Sequence, residues 1–332
     1  MKILIATDAW SPQVNGVVRT LQSTIAELTK AGHIVRVIEP GQFRTVPCPT
    51  YPEIRLAWTG NGHIGSVLNE FEPDAIHLAT EGPIGVAVRA ACRRRRWPFT
   101  TAYATKFPEY LHARFRLPVG WTYAALRWFH GASRGVMVAT NTVKAELEAR
   151  GFRNVVRWTR GVDLDLFQPG DKTFLPDPRP ILMYVGRVAV EKNLAAFLRL
   201  DLPGTKYVVG DGPQRAELER EFPTVKFVGM KRGAELARYY AAADVFVMPS
   251  LTETFGLVML EALACGVPVA AFPAPGAVDL LADSPAGALD ADLGNAIRRA
   301  LEIPPQTCRE TARRYSWAGT ARTFVANLTP RQ

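Results

Sequence analysis

Ile181-Leu182-Met183-Tyr184-Val185-Gly186 is followed by Arg187-Val188-Ala189-Val190-Glu191-Lys192-Asn193 and then by Leu194-Ala195-Ala196-Phe197-Leu198. Five apolar or aromatic residues closed by a glycine read as a strand buried on both faces, and the apolar run after Asn193 reads as a helix. Strand, turn and helix in this order make one step of a parallel α/β sheet. The step repeats downstream, with strands expected at Lys206-Tyr207-Val208-Val209-Gly210, Val225-Lys226-Phe227-Val228-Gly229, Val245 to Met248 and Val267-Pro268-Val269-Ala270-Ala271. Upstream the same rhythm runs through Lys2 to Thr7, a helix from Val17 to Ala31, Ile34 to Ile38, Ala75-Ile76-His77-Leu78, a helix over Ile84 to Arg94, and Phe99 to Tyr103. It closes with a strand over Val136 to Thr140, a helix over Val143 to Arg150 and a strand over Val155 to Trp158.

Between the two series lies 168–180, with Pro169, Pro176, Pro178 and Pro180 among Asp, Lys and Gly, too many breakers for a helix or strand. It is expected to be a linker. The chain therefore divides into 1–167, the linker 168–180, 181–310, and a terminal helix over 311–332. Two doubly wound, Rossmann-like domains are expected to face a central cleft that gathers the carboxyl ends of both sheets, where such sheets bind ligands.

The size of the chain, 332 residues, suits two cores of about 150 residues each. No apolar run approaches the roughly 20 residues of a membrane-spanning helix. The N-terminus reads as a buried strand rather than a signal peptide. Cys48, Cys92, Cys265 and Cys308 have neither metal-site nor redox spacing, which fits a reduced cytoplasm. A net charge of +9 calls for an anionic partner or surface. Bases and aromatics interleave from Arg93-Arg94-Arg95-Arg96-Trp97 through Arg114, Arg116, Trp121, Tyr123, Arg127, Trp128 and Phe129, a mixture that fits contact with an anionic membrane. A solvated basic face over core aromatics is the competing reading. No nucleic-acid-binding module is recognisable, so nucleic acid is not expected as a partner.

Chemistry concentrates in the second half. Arg187 and Lys192 flank the end of a buried strand where a helix begins, and two cations with a helix N-terminus favour a phosphate. In Glu253-Thr254-Phe255-Gly256-Leu257-Val258-Met259-Leu260-Glu261, two carboxylates bracket seven mostly apolar residues. A core helix seldom places a Glu inside its apolar stripe, so both are expected to face a ligand, up to roughly 12 Å apart at about 1.5 Å per residue. In the first half, Gly16 within Ser11-Pro12-Gln13-Val14-Asn15-Gly16-Val17-Val18-Arg19 is expected to let the backbone approach a phosphate. His77 reads either as a cleft residue or as a satisfied core histidine, the second being favoured.

Taken together, Gly161-Val162-Asp163 with Phe167 and Pro169, Gly186-Arg187 with Glu191-Lys192-Asn193, Gly210-Asp211-Gly212-Pro213, and Glu253-x7-Glu261 around Phe255-Gly256-Leu257 resemble the retaining, GT-B-fold glycosyltransferases of family 4, in particular the bacterial branch that makes mannosides and glycolipids. The resemblance implies transfer of a hexose from a UDP- or GDP-sugar, held mainly by the second domain, to a lipid or lipid-linked acceptor held mainly by the first, at the cytoplasmic membrane face. It implies Arg187 and Lys192 on the donor diphosphate, Glu261 on the ribose, and Glu253 on the hydroxyls of the transferred sugar. Phe255, Gly256 and Leu257 would offer backbone amides, and Gly210 would lie beside the donor. Arg187, Lys192 and Glu253 would carry catalysis, without a metal or cofactor, because the two cations can take up charge on the leaving diphosphate. In Thr101 to Tyr110 this chain has Ala104 where many relatives carry a His beside the donor sugar; Lys106, Glu109 and Tyr110 remain as acceptor-side residues. A non-catalytic nucleotide-sugar-binding protein and a sugar-nucleotide epimerase of the same architecture are the competing classes.

Overall fold

A computed structural model describes residues 1–13, 15–48 and 51–331. The side chains of residues 51–54, 61, 110 and 113–115 lie outside that description, as does Val14. The chain forms two compact units, Met1–Thr159 with Trp317–Gln332, and Arg160–Ser316.

The first unit holds strands β1 (Lys2–Ala6), β2 (Ile34–Ile38), β3 (Thr45–Cys48), β4 (Tyr51–Ala57), β5 (Ala75–Leu78), β6 (Thr100–Tyr103), β7 (Val136–Val138) and β8 (Val155–Arg157). Its helices are α1 (Gly16–Lys30), α2 (Asn61–Phe71), α3 (Pro83–Arg95), α4 (Phe107–Phe115), α5 (Val119–His130) and α6 (Asn141–Ala149). Six strands form a parallel sheet in the order β2-β1-β5-β6-β7-β8. Alternation along β1 sorts the core into two layers, as the two-residue strand period requires. Ile3 and Ile5 join Leu21 and Leu28 of α1, while Leu4 and Ala6 join Ile64, Leu68, Ile84 and Val88 of α2 and α3. His77 is a core residue: it is fully buried, its Nδ1 lies 2.9 Å from Thr100 Oγ1, and its ring meets Trp158 and Phe324 edge-on.

The second unit continues with β9 (Ile181–Val185), β10 (Thr205–Val209), β11 (Lys226–Gly229), β12 (Val245–Met248), β13 (Val269–Ala271) and β14 (Gly287–Leu289). Its helices are α7 (Leu194–Leu198), α8 (Arg215–Glu221), α9 (Gly233–Ala242), α10 (Leu257–Ala264), α11 (Pro275–Leu281), α12 (Leu293–Ala300) and α13 (Pro305–Ala312). The sheet is again parallel, in the order β11-β10-β9-β12-β13-β14, so the direction of growth reverses between β9 and β12. The last helix, α14 (Trp317–Asn327), packs on the first unit: the Phe324 ring lies tilted against Trp158, whose indole N–H donates to the Thr320 carbonyl at 3.2 Å.

Three features depart from the pattern expected of the sequence. The antiparallel hairpin β3–β4, the edge strand β14 and helices α2, α4 and α5 fill stretches with no expected element. Residues 168–180 are packed into the second unit instead of spanning between units: Lys172 donates to the Ala243 carbonyl, Arg179 pairs with Asp244 at 2.5 Å, and Phe174 meets Tyr239 edge-on. The prolines keep this stretch out of helix and sheet without preventing side-chain packing. The units divide at Thr159/Arg160, before the expected position 167, because Phe167 packs on Tyr240 and Arg309 donates to the carbonyls of Phe167 and Ala264.

Candidate functional site

The second sheet's reversal point separates the loops after β9 and β12, and three contacts tie those loops together. Lys192 Nζ donates to Glu253 Oε2 at 2.7 Å, Asn193 Nδ2 to the Pro249 carbonyl at 3.1 Å, and Ser250 Oγ to the Glu191 carbonyl at 3.4 Å. Asn193 sits in the left-handed region, φ 54°, which asparagine tolerates better than most residues, and its side chain is held by the distant Pro249 carbonyl. Both charged side chains of the Lys192–Glu253 pair are 17% exposed, so the ion pair sits in a recess that keeps contact with solvent. Parallel α/β sheets bind ligands at such reversal points, beyond the carboxyl ends of the strands.

Two glycines make the geometry. Gly210, at φ +145°, lies against the β9 turn so closely that a Cβ would stand 1.9 Å from the Gly186 carbonyl oxygen. Val188 N–H then donates to the Asp211 carbonyl at 2.9 Å, and Tyr184 Oη fixes the turn by donating to the Arg187 carbonyl at 2.8 Å. Gly256 precedes α10 at φ +79°, where a Cβ would meet Met259 Cε at 2.7 Å, and no side chain caps the helix. The first N–H groups of α10 thus begin three residues after Glu253, and unspent helix-start amides with a nearby lysine suit an anion.

The structure therefore brings together Lys192, Glu253, Gly256 and the start of α10 at Leu257 at one mouth, with the half-buried Arg187 and the buried Gly210 on the adjoining loops. Phe255 contributes backbone there, since its side chain is buried and meets Tyr315 edge-on. Glu261 is held inside: it is 3% exposed, and Tyr240 Oη donates to its Oε2 at 2.9 Å.

The remaining expected residues belong to the first unit. Gly16 opens α1, but the Asn15 side chain already accepts from Val17 N–H and Val18 N–H, each at 3.0 Å, taking two of the donors a phosphate would use. Lys106 is buried and paired with Glu146 at 2.6 Å. Glu109 accepts from Tyr123 Oη at 2.7 Å, and burial with that bond pushes the Tyr123 phenol up to about 12, so it remains a donor at neutral pH. The side chain of Tyr110 lies outside the described residues.

Sequence reasoning missed a second reversal point, between β1 and β5 of the first sheet. Asp8, just after β1, accepts from Thr80 Oγ1 at 2.8 Å and from Ile84 N–H at 2.9 Å, and burial holds its carboxyl above the ordinary range. Glu81, just after β5, lies 3.2 Å from the buried His130. A carboxylate two or three residues after each of two buried strands was the available signal.

Known proteins supply the remaining finding. The profile described as Glycosyltransferase Family 4 matches residues 14–166, and that described as Glycosyl transferases group 1 matches 179–302. A GDP-mannose-dependent alpha-mannosyltransferase of Mycobacterium tuberculosis is 33% identical over 318 residues, spanning 87% of this chain and 83% of that one. An alpha-monoglucosyldiacylglycerol synthase of Streptococcus pneumoniae is 27% identical over 358 residues, spanning 94% and 80%. In fold, a sucrose-phosphate synthase from Thermosynechococcus elongatus superposes with a TM-score of 0.78 at 22% identity, covering 98% of this chain and 97% of that one. With two Rossmann-like parallel sheets and both profiles matched in order, the chain belongs to the GT-B glycosyltransferases of family 4.

Proposed function

We propose that the protein is a retaining hexosyltransferase that moves a sugar from a UDP- or GDP-sugar to a lipid or lipid-linked acceptor at the cytoplasmic face of the membrane. The observation that carries this reading is the 2.7 Å Lys192–Glu253 pair across the reversal point of the second sheet, beside an uncapped helix start. In it, Lys192, Arg187 and the amides of Gly256 and Leu257 receive the diphosphate, and Glu253 takes hydroxyls of the transferred sugar. As the bond to the sugar breaks, negative charge grows on the leaving phosphate, and preorganised cations stabilise it without reorganising. Those cations fill the role a metal ion plays in other phosphate-leaving reactions, so transfer is expected to continue in a chelator. The mannosyl relative supports GDP-mannose as the first donor to try.

The membrane part of the reading rests on one face of α5. Trp121 is 76% exposed and Trp128 57% exposed, seven residues apart and so two turns along one side of the helix. Arg89 lies beneath the Trp128 ring at 3.9 Å and donates to the Trp128 and Phe129 carbonyls, which fixes the indole. Tyr123 and Phe129 are buried, so the interleaved segment divides between core and surface. Among the described residues no helix is long and apolar enough to cross a membrane, and the proposed attachment is peripheral.

The test is transfer of labelled hexose from GDP-mannose, UDP-glucose and related donors into the organic phase of a bacterial lipid extract. Product from one donor, with the anomeric configuration retained by NMR and with activity kept in EDTA, is the expected result. A chain that binds no nucleoside diphosphate by calorimetry would overturn the assignment.

A further inference from the structure

The reversal point of the first sheet carries chemistry opposite in sign to that of the second. Asp8 and Glu81 follow β1 and β5, and among the described residues neither pairs with a lysine or arginine. Asp8 is spent on Thr80 and the start of α3. Glu81 is different, because only one of its oxygens is engaged. Oε1 lies 3.2 Å from His130 Nε2, Oε2 has no partner among the described residues, and the side chain is 11% exposed.

Behind Glu81, a buried chain of bonds fixes the histidine. Ser133 Oγ donates to the His130 carbonyl at 2.7 Å, so it can only accept from Thr101 Oγ1, 3.2 Å away. Thr101 in turn accepts from His130 Nδ1 at 2.9 Å. The imidazole side chain is fully buried and lies among Tyr103, Phe129 and Phe152, with ring centroids 6.3, 5.0 and 5.9 Å away. With Nδ1 as donor to Thr101, the contact between Nε2 and Glu81 holds one shared proton. A side chain braced in this way loses little freedom when its second oxygen takes a ligand.

We propose that Glu81 accepts a hydrogen bond from a hydroxyl of the acceptor, that His130 is its positioning residue, and that the headgroup recognised is an uncharged polyol or sugar rather than a phosphate-bearing one. The proposal rests on the function proposed above and names the acceptor class. Charge decides between the headgroups. A phosphate brought here meets two carboxylates that, among the described residues, pair with no lysine or arginine, and the α1 amides nearest the end of β1 are already taken by Asn15. A hydroxyl donor meets a free carboxylate oxygen instead.

The experiment uses the whole chain, titrated calorimetrically with GDP and with UDP, and then, with the better nucleotide saturating, with monomeric octyl glucoside and separately with inositol 1-phosphate. The glucoside is expected to bind and inositol 1-phosphate to bind at least about tenfold more weakly. Glu81→Gln should weaken the glucoside by about 10- to 100-fold, the range for a hydrogen bond to a charged group, while nucleotide affinity stays within about twofold. His130→Gln, which keeps a donor near the Nε2 position, should retain more glucoside affinity than His130→Ala at equal melting temperature. Such rescue separates positioning from folding, and Glu81→Gln remains decisive if both His130 variants unfold. Preference for inositol 1-phosphate, binding of neither headgroup, or glucoside affinity unchanged in Glu81→Gln each overturns the proposal. Loss of nucleotide binding in the unaltered chain strikes the proposed function instead, so the two failures are distinguishable.

Discussion

The two sheets obey one topological rule and apply it to opposite electrostatics. In the second unit the loops at the reversal point carry Arg187 and Lys192, with Glu253 already paired, and glycines press the backbone turns together. In the first unit the corresponding loops carry Asp8 and Glu81, braced by Thr80 and His130. On the proposals above, topology sets where each ligand goes, while the residues just past each strand set its charge. Those proposals give the second unit a diphosphate donor and the first a neutral hydroxyl acceptor.

The strongest way to break the comparison is to remove the second unit's cation. Lys192→Ala should lower kcat/KM for transfer by about 10²- to 10³-fold, the usual cost of one charge-stabilising donor, and it strands Glu253 as well. A loss below tenfold in steady-state kinetics would detach Lys192 from the leaving group. Next is the backbone: Gly210→Ala inserts a Cβ where the Gly186 carbonyl lies 1.9 Å away, and should cost about 1–3 kcal/mol by denaturant titration. An unchanged midpoint would mean that the two turns separate easily. Glu253→Ala should reduce discrimination between donor sugars by about 1.5–3 kcal/mol while sparing nucleotide affinity, measured as competing kcat/KM values. Loss of GDP or UDP binding instead would count against its place on the sugar.

Two smaller effects sharpen the contrast. Trp121→Ala with Trp128→Ala should lower flotation with phosphatidylglycerol vesicles several-fold at unchanged melting temperature, since both indoles are exposed. Equal flotation would move any membrane contact elsewhere. Asp8 gives the smallest signal. Burial raises its folded pKa, so the folded chain holds its proton to higher pH than the unfolded chain does. Stability from this group is present at low pH, falls as pH rises from the ordinary value of 3.8 through the raised one, and is level above it. Asp8→Asn should remove that slope and leave stability near pH 7 equal or slightly higher; a clear loss there would show that the carboxylate's bonds to Thr80 and Ile84 outweigh its desolvation.

Much of the fold could be read from periodicity because its strands are short, apolar and bounded by glycine or polar turns; Ile34–Ile38, Ala75–Leu78 and Val245–Met248 coincide with their expected limits. Helix α2 carried a helical signal in Ile64, Val67, Leu68 and Phe71, diluted by Gly62 and Gly65, which lower helix propensity. Lys192 and Glu253 were legible as charges beside a buried strand, but their pairing was not, since 61 residues separate them. The Glu81–His130 contact spans 49 residues, and a histidine's partner is set by tertiary packing that periodicity does not encode. Glu261 drew notice as a charge within an apolar helix, yet its bond to Tyr240 depends on how α9 and α10 pack.

Helix α14 has a consequence for the order in which the protein is made. Phe324 and Leu328 complete the core layer that Ile3 and Ile5 begin, so the unit that starts first on the ribosome is the last to be finished. Arg160–Ser316 is contiguous and has all its strands before that helix emerges. A nascent chain stopped at Ser316 would therefore carry one complete domain and one with an open apolar seam along α1, the species on which a chaperone would act.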